Sequence, residues 1–459
     1  MNNFSISDLP KGAYIHMIGI GGISMSGIAE MLLNFGYKVS GSDAKPSGLT
    51  DRLKQNGAEI FIGQSANNIK NPDAVCYTAA ISPDNPELVK AKTLGIPVVE
   101  RAVFLGALLE KYKYPIAVAG THGKTTTSSM LSLVLLAAHK DPTILIGGEL
   151  SQIGGNYHIG GNEYLPFEAC EYVESFLHFK PFVSIITNIE EDHLDYFKDL
   201  NHIITSFVKF ASLTSDNGCN IVCIDENNTQ SIVQNVKKKA VTYALNNKNA
   251  DYTAENITLE KNGCPTFDIF NKDRKVLSVS LNVAGDHNIC NALGVTAACE
   301  FLGIEPEYIK SGLEEFRGAK RRFDRLGKTE TGVDVVDDYA HHPTEIKTTL
   351  ETAKKMGYNN VWVAFQPHTY TRTAAFLEQF ASALKTADRV MITDIYPARE
   401  KYDGTMHACD LARLIPGVVY MNDMDAMKRY ILSNAKPGDL VITMGAGNIC
   451  DLGYSLTQK

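Results

Sequence analysis

The sequence has no apolar run long enough to cross a bilayer. Its longest uncharged apolar stretch, residues 130–138, is about half of the ~20 residues that a spanning helix needs. Asp8, Pro10 and Lys11 precede any apolar run at the N-terminus, which is unlike an export signal. The expectation is a cytoplasmic protein without membrane insertion. The nine cysteines, Cys76, Cys170, Cys219, Cys223, Cys264, Cys290, Cys299, Cys409 and Cys450, include no pair of close-set doublets. That spacing excludes a disulfide framework and a four-thiolate zinc site. Cys219 and Cys223 flank an apolar run but have no matching second pair, so buried reduced thiols are expected. Nor is there an excess of positive charge: 44 Lys and Arg stand against 52 Asp and Glu, a net charge of −8. Such a chain is not built as a general nucleic-acid binder, and an anionic ligand must be met by local groups. Internal repeats and low-complexity tracts are also missing.

What is present is an ordinary globular composition, 44% hydrophobic and 21% charged over 459 residues, a length that corresponds to about three domains. Short apolar runs alternate with helical patterns, the mark of an α/β chain with parallel sheets. Strands are expected at residues 14–18, 38–40, 74–77 and 97–99, with helices at 25–35 and 103–109. The polar, proline-ended stretch Lys111 to Pro115 marks a first boundary. A second strand set is expected at 116–119, 183–187, 220–224 and 277–283, the last feeding a helix near 288–298. The basic, glycine-containing stretch Phe316 to Phe323 marks a second boundary. Further strands are expected at 333–336, 361–365, 389–393 and 440–443. The domains expected are therefore 1–112, 113–317 and 318–459.

Gly120, Thr121, His122, Gly123, Lys124, Thr125 and Thr126 form the sharpest chemical signal. A glycine-rich turn between strand and helix aims backbone N–H groups at phosphate oxygens; Lys124 adds charge, and Thr125 can ligate magnesium. Val118 stands five positions before Gly123, where the standard pattern has glycine, so this is a shorter variant of a triphosphate loop. Gly19, Gly21, Gly22, Ser24, Ser26 and Gly27 make a second strand-to-helix turn, and Asp43 follows the next strand. A diphosphate at that helix start with a carboxylate near a sugar fits either a dinucleotide or a nucleotide-sugar, and glycines chosen only for close packing are the plain alternative.

Glu171 and His193, the latter after an apolar strand, are candidate metal ligands beside the phosphate loop. Asn288 and Asn291 lie three apart on one helix face, where side-chain amides could meet an adenine edge or cap the helix. Lys320, Arg321 and Arg322 could bring positive charge onto a transferring phosphate or form a solvated turn. The acids and histidines of Asp337-Asp338-Tyr339-Ala340-His341-His342-Pro343 end another strand. A second polar loop, from Gln366 to Arg372, follows a further strand, and its Arg372 could hold a carboxylate.

Taken together these segments resemble the Mur ligase family over nearly the whole chain. The resemblance rests on His16 to Gly22 with Met25-Ser26-Gly27, the Gly120 to Thr127 loop, Thr187-Asn188-Ile189-Glu190 with Asp192-His193, the Asn288/Asn291 pair, Arg321-Arg322-Phe323, Asp337 to Pro343, and Phe365-Gln366-Pro367-His368. It implies an α/β fold of three domains: a Rossmann-like N-terminal domain, a P-loop ATPase-like central domain with a mainly parallel sheet, and a Rossmann-like C-terminal domain. It implies an ATP- and Mg2+-dependent ligase that joins L-alanine to UDP-N-acetylmuramate through an acyl phosphate. A relative attaching a peptide or another amino acid is the nearest alternative. A nicotinamide dehydrogenase or a motor-type ATPase would be different classes.

In residue terms, the resemblance implies that Thr125 and Glu171 hold one magnesium and that His193 helps to hold a second. Lys124 and Arg322 would act on the phosphoryl group, and Asp338 would orient the cation or the amine. UDP would sit at Gly21, Gly22, Ser24 and Ser26 near Asp43, with His341 and Arg372 on the substrate side. ATP would take Gly120 to Thr126 with Asn288 and Asn291. A monomer or homodimer is expected, with the three domains closing to exclude water. Where many relatives carry more acids, this chain has Cys170, Tyr172 and Val173 around Glu171.

Overall fold

Three sheets follow one another along the chain in a computed structural model that describes residues 4–78, 80–402 and 404–458. The first contains β1 (Tyr14–Ile18), β2 (Lys38–Asp43), β3 (Glu59–Ile62), β4 (Ala74–Tyr77) and β5 (Val98–Glu100), in the order β3-β2-β1-β4-β5. Every pairing in it is parallel. The strand order reverses between β1 and β4, and the turn after β1 lies at this switch point, where ligands of open parallel sheets gather. A buried polar network supports that turn: His16 bonds the Ser40 hydroxyl at 2.8 Å, while Glu87 accepts from Ser42 Oγ at 2.6 Å.

The central sheet holds β6 (Tyr114–Ala119), β7 (Ile144–Leu150), β8 (Gly155–His158), β9 (Tyr164–Glu168), β10 (Val183–Ile186), β11 (Cys219–Cys223), β12 (Ala240–Tyr243), β13 (Tyr252–Leu259), β14 (Pro265–Asn271) and β15 (Arg274–Ser280). Its order is β15-β14-β13-β12-β11-β10-β6-β9-β7-β8. The core from β13 to β7 is parallel, as expected, but both margins are antiparallel: β13-β14-β15 on one side and β7-β8 on the other. The strand expected at 277–283 instead runs over Arg274–Ser280, because its hairpin register with β14 is set by the tight turn at 272–273.

The third sheet contains β16 (Asp324–Lys328), β17 (Asp334–Asp338), β18 (Val361–Phe365), β19 (Arg389–Ile392), β20 (Val419–Tyr420) and β21 (Leu440–Met444). The order is β16-β17-β21-β18-β19-β20, parallel except for β16. Asp337 and Asp338 close β17 rather than following it. The whole is a three-domain α/β fold.

The apolar clusters divide unevenly. One runs from Ile15 and Leu32 of the first sheet's layer through Phe104 to Ala117, Phe176 and Phe207 of the central layer. Backbone approach seals that junction: a Cβ on Gly106 would collide with the His178 carbonyl, and one on Gly27 with Leu145. Asn156 also donates to the Ile23 carbonyl at 3.1 Å, and the Arg52 guanidinium lies 4.5 Å over the Tyr157 ring. The third sheet's buried clusters contain only residues from Val333 onward. Between them the chain turns at Gly318 (φ +99°), with Arg321 (φ 61°) and Phe323 (φ 48°) also left-handed. Such a conformation costs a non-glycine residue about 1–2 kcal/mol. Arg321 offsets it by bonding Asp337 at 3.0 Å and the Gly445 and Gly447 carbonyls at 2.6 and 3.1 Å.

Helix Pro306–Glu315 lies so close to helix Lys124–Ala137 that a Cβ at Gly312 would overlap the Val134 backbone. Neither partner can yield cheaply, since the obstacle is main chain. Gly312→Ala is expected to destabilise the central domain by about 1–3 kcal/mol, read as a lower thermal midpoint. An unchanged midpoint would show that the two helices can separate without cost.

Candidate active site

The phosphate loop follows β6 directly. Gly120 (φ +143°) and Gly123 (φ +84°) both take conformations that a side chain would resist, and a Cβ on Gly120 would strike the Thr187 hydroxyl. Gly123 is the N-cap of helix Lys124–Ala137 and caps it with no side chain, which leaves first-turn N–H groups for an anion. The next strand end braces the loop. Thr187 Oγ1 donates to the His122 carbonyl at 2.6 Å, Asn188 Oδ1 accepts from the His122 N–H at 2.8 Å, and Asn188 Nδ2 donates back to the His122 carbonyl at 3.1 Å. Thr121 Oγ1 accepts from the Glu190 N–H at 2.9 Å.

Lys124 curls over this loop, donating to the Gly120 carbonyl, to the Thr121 carbonyl at 3.1 Å, and to both oxygens of Glu171 at 3.2 and 3.0 Å. Burial alone would lower the Lys124 pKa, but the Glu171 carboxylate raises it above the ordinary value. From Glu171 the polar chain continues: His193 Nε2 lies 3.9 Å from Glu171 Oε1 and 3.8 Å from Asp192 Oδ2. Asp192 receives Arg372 Nη2 at 2.8 Å and Nε at 3.1 Å. Burial works against the Asp192 charge, yet His193 and Arg372 hold its carboxyl well below the usual range. Arg372, expected to hold a substrate carboxylate, here holds a carboxylate of the central domain. Its Nη1 also meets His368 Nδ1 at 3.3 Å.

A second interdomain cluster centres on Glu345, one turn into helix Pro343–Lys354. Its carboxylate lies 3.2 Å from His122 Nδ1, 3.7 Å from Arg322 and 3.4 Å from His341. Burial would raise the Glu345 pKa, but His341, His122 and Arg322 bring it well below normal. Burial likewise opposes a charge on His122, and the Glu345 and Glu190 carboxylates outweigh it, lifting the imidazole to about 9. Burial pushes His341 down to about 4. Thr344 Oγ1 donates to Glu190 at 2.6 Å, and His342 Nε2 meets the Glu191 carbonyl at 3.0 Å. Asp338 is spoken for: it accepts from Ala340 N at 2.8 Å, Phe323 N at 3.0 Å and Thr349 Oγ1 at 3.3 Å, and burial raises it to about 6 against the pull of Arg322.

Between the central and C-terminal sheets lies a cavity of about 1260 Å³, with His122, Thr126, Asn288, Asn291, Arg322 and Asp338 in its wall. Asn288 donates to the Ala284 carbonyl at 2.7 Å and accepts from Asn291 at 3.3 Å, while Asn291 Oδ1 would lie 3.0 Å from a Cβ on Gly123. The pair therefore braces its helix start against the loop. The first-domain residues do not line this cavity. Gly22 caps helix Ile23–Asn34 without a side chain, and Ser24 is half-buried at that helix start. Ser26, by contrast, is fully buried, and its hydroxyl donates to the Ile23 carbonyl at 2.9 Å. The fourth helical position turns this side chain inward, so a ligand expected at Ser26 would meet the main chain of the helix start. Asp43 accepts the Gly21 N–H at 2.9 Å, so it fixes the glycine turn. Sequence reasoning missed Glu345, Asp192 and Asn188 as individual site groups. Asn188 and Asp192 stand in the run from Thr187 to His193 that carries the resemblance but were given no role, and Glu345 left a trace only as the acid two positions after a helix-starting proline.

Three family descriptions match in succession: the Mur ligase family catalytic domain over residues 14–113, the Mur ligase middle domain over 118–299, and the Mur ligase glutamate ligase domain over 321–447. The UDP-N-acetylmuramate--L-alanine ligase of Acetivibrio thermocellus is 50% identical over 457 residues, 99% of this chain and 97% of its own. That of Clostridium tetani is 48% identical over 443 residues, 96% of each chain. Among solved structures, the UDP-N-acetylmuramate-alanine ligase of Thermotoga maritima superposes with a TM-score of 0.80 at 32% identity, covering 97% of this chain and 98% of its own. A murein peptide ligase of Psychrobacter arcticus gives 0.72 at 26% identity over 97% and 98%. With its phosphate loop, braced strand end and two interdomain clusters falling within these matched segments, the chain belongs to the Mur ligase family.

Proposed function

We propose that this protein is an ATP-dependent ligase that forms an amide between L-alanine and the lactyl carboxylate of UDP-N-acetylmuramate, releasing ADP and phosphate in peptidoglycan precursor synthesis. The observation that carries the reading is the charge gathered at the phosphate loop from two domains: Lys124 of the loop paired with Glu171 after β9, and Arg322 with Glu345 on the C-terminal side, where Glu345 lies 3.2 Å from His122 of the same loop. Phosphoryl transfer needs little covalent chemistry from a protein and much positioning and charge, and this arrangement supplies both.

In the proposed mechanism the N–H groups after Gly123 and the Lys124 ammonium bind the triphosphate. Arg322 approaches from the C-terminal domain and offsets charge that builds on the transferring group as the sugar carboxylate attacks. The amine of alanine then displaces phosphate from the acyl phosphate. The Arg372 guanidinium, oriented by Asp192 and flanked by the His368 and His341 imidazoles, which burial keeps neutral, is the group suited to the amino acid's carboxylate. Gly21, Gly22 and Ser24 would hold the diphosphate of the UDP-sugar, with Asp43 setting the turn.

A hydroxyl on Thr125, a carboxylate on Glu171 and an imidazole on His193 are a donor set suited to a small hard cation. The nearly buried Glu171 already requires a cationic partner, which Lys124 provides. Magnesium held there would add charge stabilisation to the phosphoryl group.

Phosphate release from ATP with magnesium should require UDP-N-acetylmuramate and L-alanine together, and the product should be heavier by one alanine residue in a mass spectrum. Release without the UDP-sugar would overturn the reading, and a product formed only with a peptide would place the chain beside the murein peptide ligases. Lys124→Ala should abolish turnover, since the loop loses its only side-chain ammonium; near-normal turnover would refute the assigned phosphate site. Asn291→Ala should raise the KM for ATP while sparing UDP-sugar binding, and equal losses in both would remove Asn291 from the nucleotide side. The His122 imidazole, lifted to about 9 from an unfolded value near 6.5, adds stability that is complete below about pH 6.5 and is lost as pH rises through about 9. The thermal midpoint of the wild type should therefore fall relative to that of His122→Gln between those limits, and parallel pH profiles would show that His122 carries no such charge.

A further inference from the structure

Cys223 and Cys290, 67 positions apart, meet in the wall of the central cleft. Cys223 ends β11, Cys290 lies in helix Asp286–Phe301, and their sulfurs are 3.5 Å apart. Asp225 stands just beyond the strand, with Oδ2 4.0 Å from Cys290 Sγ. The two sulfurs and one carboxylate oxygen all lie within 4.8 Å of one another, and all three residues border the cavity.

We propose that Cys223, Cys290 and Asp225 form a binding site for a thiophilic divalent cation of the zinc type. Tetrahedral zinc, with Zn–S about 2.3 Å and Zn–O about 2.1 Å, sets two sulfurs about 3.8 Å apart and a sulfur and an oxygen about 3.6 Å apart. The sulfur–sulfur distance of 3.5 Å and the Cys290 Sγ–Asp225 Oδ2 distance of 4.0 Å differ from these by a few tenths of an ångström. The carboxylate is held in place from behind: Asp225 Oδ2 accepts from Leu245 N at 2.7 Å, and Oδ1 from Asn246 N and Asn247 N at 2.8 and 3.0 Å. Ligands oriented by such supporting bonds bind metal more firmly than free ones. Three protein ligands leave a fourth position open toward the cleft for water or another donor. Binding replaces two S–H protons by one M2+, forming two sulfur–metal bonds and releasing two protons.

The cation site does not depend on the nucleotide reading. Its consequence does: Asn246 and Asn288 border the same cavity, so if ATP binds here, an occupied site would compete with it.

Cobalt(II) tests the proposal, because thiolate ligation gives it an intense charge-transfer absorption that zinc abolishes on displacing it. The full-length protein, kept reduced with a phosphine, should bind one cobalt per chain with that band. Cys290→Ser and Cys223→Ala, each verified as folded by circular dichroism, should lose the band and bind zinc more than ~10-fold more weakly, beyond the lower bound for loss of a supporting contact alone. Absence of the band in the wild type, or its survival in both variants, would overturn the proposal. Addition of adenosine, which carries no cobalt-chelating triphosphate, to the cobalt protein reads the second point separately: a weakened band supports competition, and an unchanged band removes the link to the nucleotide while the cation site stands.

Discussion

A buried ammonium must be matched by a negative charge, and the Lys124–Glu171 pair meets that requirement at the centre of the molecule. The consequences spread outward. Because Lys124 begins a helix whose cap is a left-handed glycine, its ammonium can fold back over its own loop and still reach a carboxylate on the neighbouring segment. Because Glu171 is nearly buried, it cannot be left without a cation, which ties the acid after β9 to the loop after β6. His193, Asp192 and Arg372 then extend the same line of alternating charge into the C-terminal domain. Breaking such a pair by removing one member leaves an uncompensated buried charge, costing about 3–5 kcal/mol, so geometry and charge balance are enforced together.

Much of the fold was legible because parallel sheets write themselves as short apolar runs. The strands expected at residues 14–18, 74–77 and 361–365 are observed with those bounds. β7, β8, β13 and β14 were not anticipated and β15 was expected three residues late, since antiparallel margins with one solvated face break the apolar run into polar alternation, as in the exposed second half of β13. The phosphate loop was legible from local spacing alone. The partners that finish the site were not. Glu345 and Asp192 acquire meaning only when helix Pro343–Lys354 and the 366–372 loop meet the central sheet, a contact over 150 positions of sequence. Ser26 shows the reverse limit: its place in a glycine-rich turn is plain in the sequence, but the helical phase that turns its side chain inward is not. The cysteines make the same point. Cys219 and Cys223 look like the closest pair in sequence, whereas the fold joins Cys223 to Cys290.

The two interdomain clusters differ in kind. That of Asp192 and Arg372 pairs a guanidinium with a carboxyl that His193 and Arg372 hold well below its usual range. In that of His122, Glu190, His342 and Glu345 two neighbouring imidazoles share the same carboxylates, and its charge depends on which of them carries a proton. Carboxylates on both sides settle this in favour of His122, while burial and the His122 charge keep His342 below its ordinary value. The C-terminal domain is thus held to the loop by contacts with different chemical sensitivities, one indifferent to modest pH change and one responsive to it.

The uneven division of the apolar clusters decides which pair of sheets would cost least to separate. First and central sheets share one hydrophobic cluster, so separating them would expose oily surface to water, whereas the third sheet meets the others through ion pairs and hydrogen bonds that water can replace bond for bond. The left-handed turn from Gly318 to Phe323 is the covalent link at that wet seam. Parting the third sheet from the other two at that seam would leave the oil undisturbed, because the buried apolar clusters among the described residues stop on either side of it.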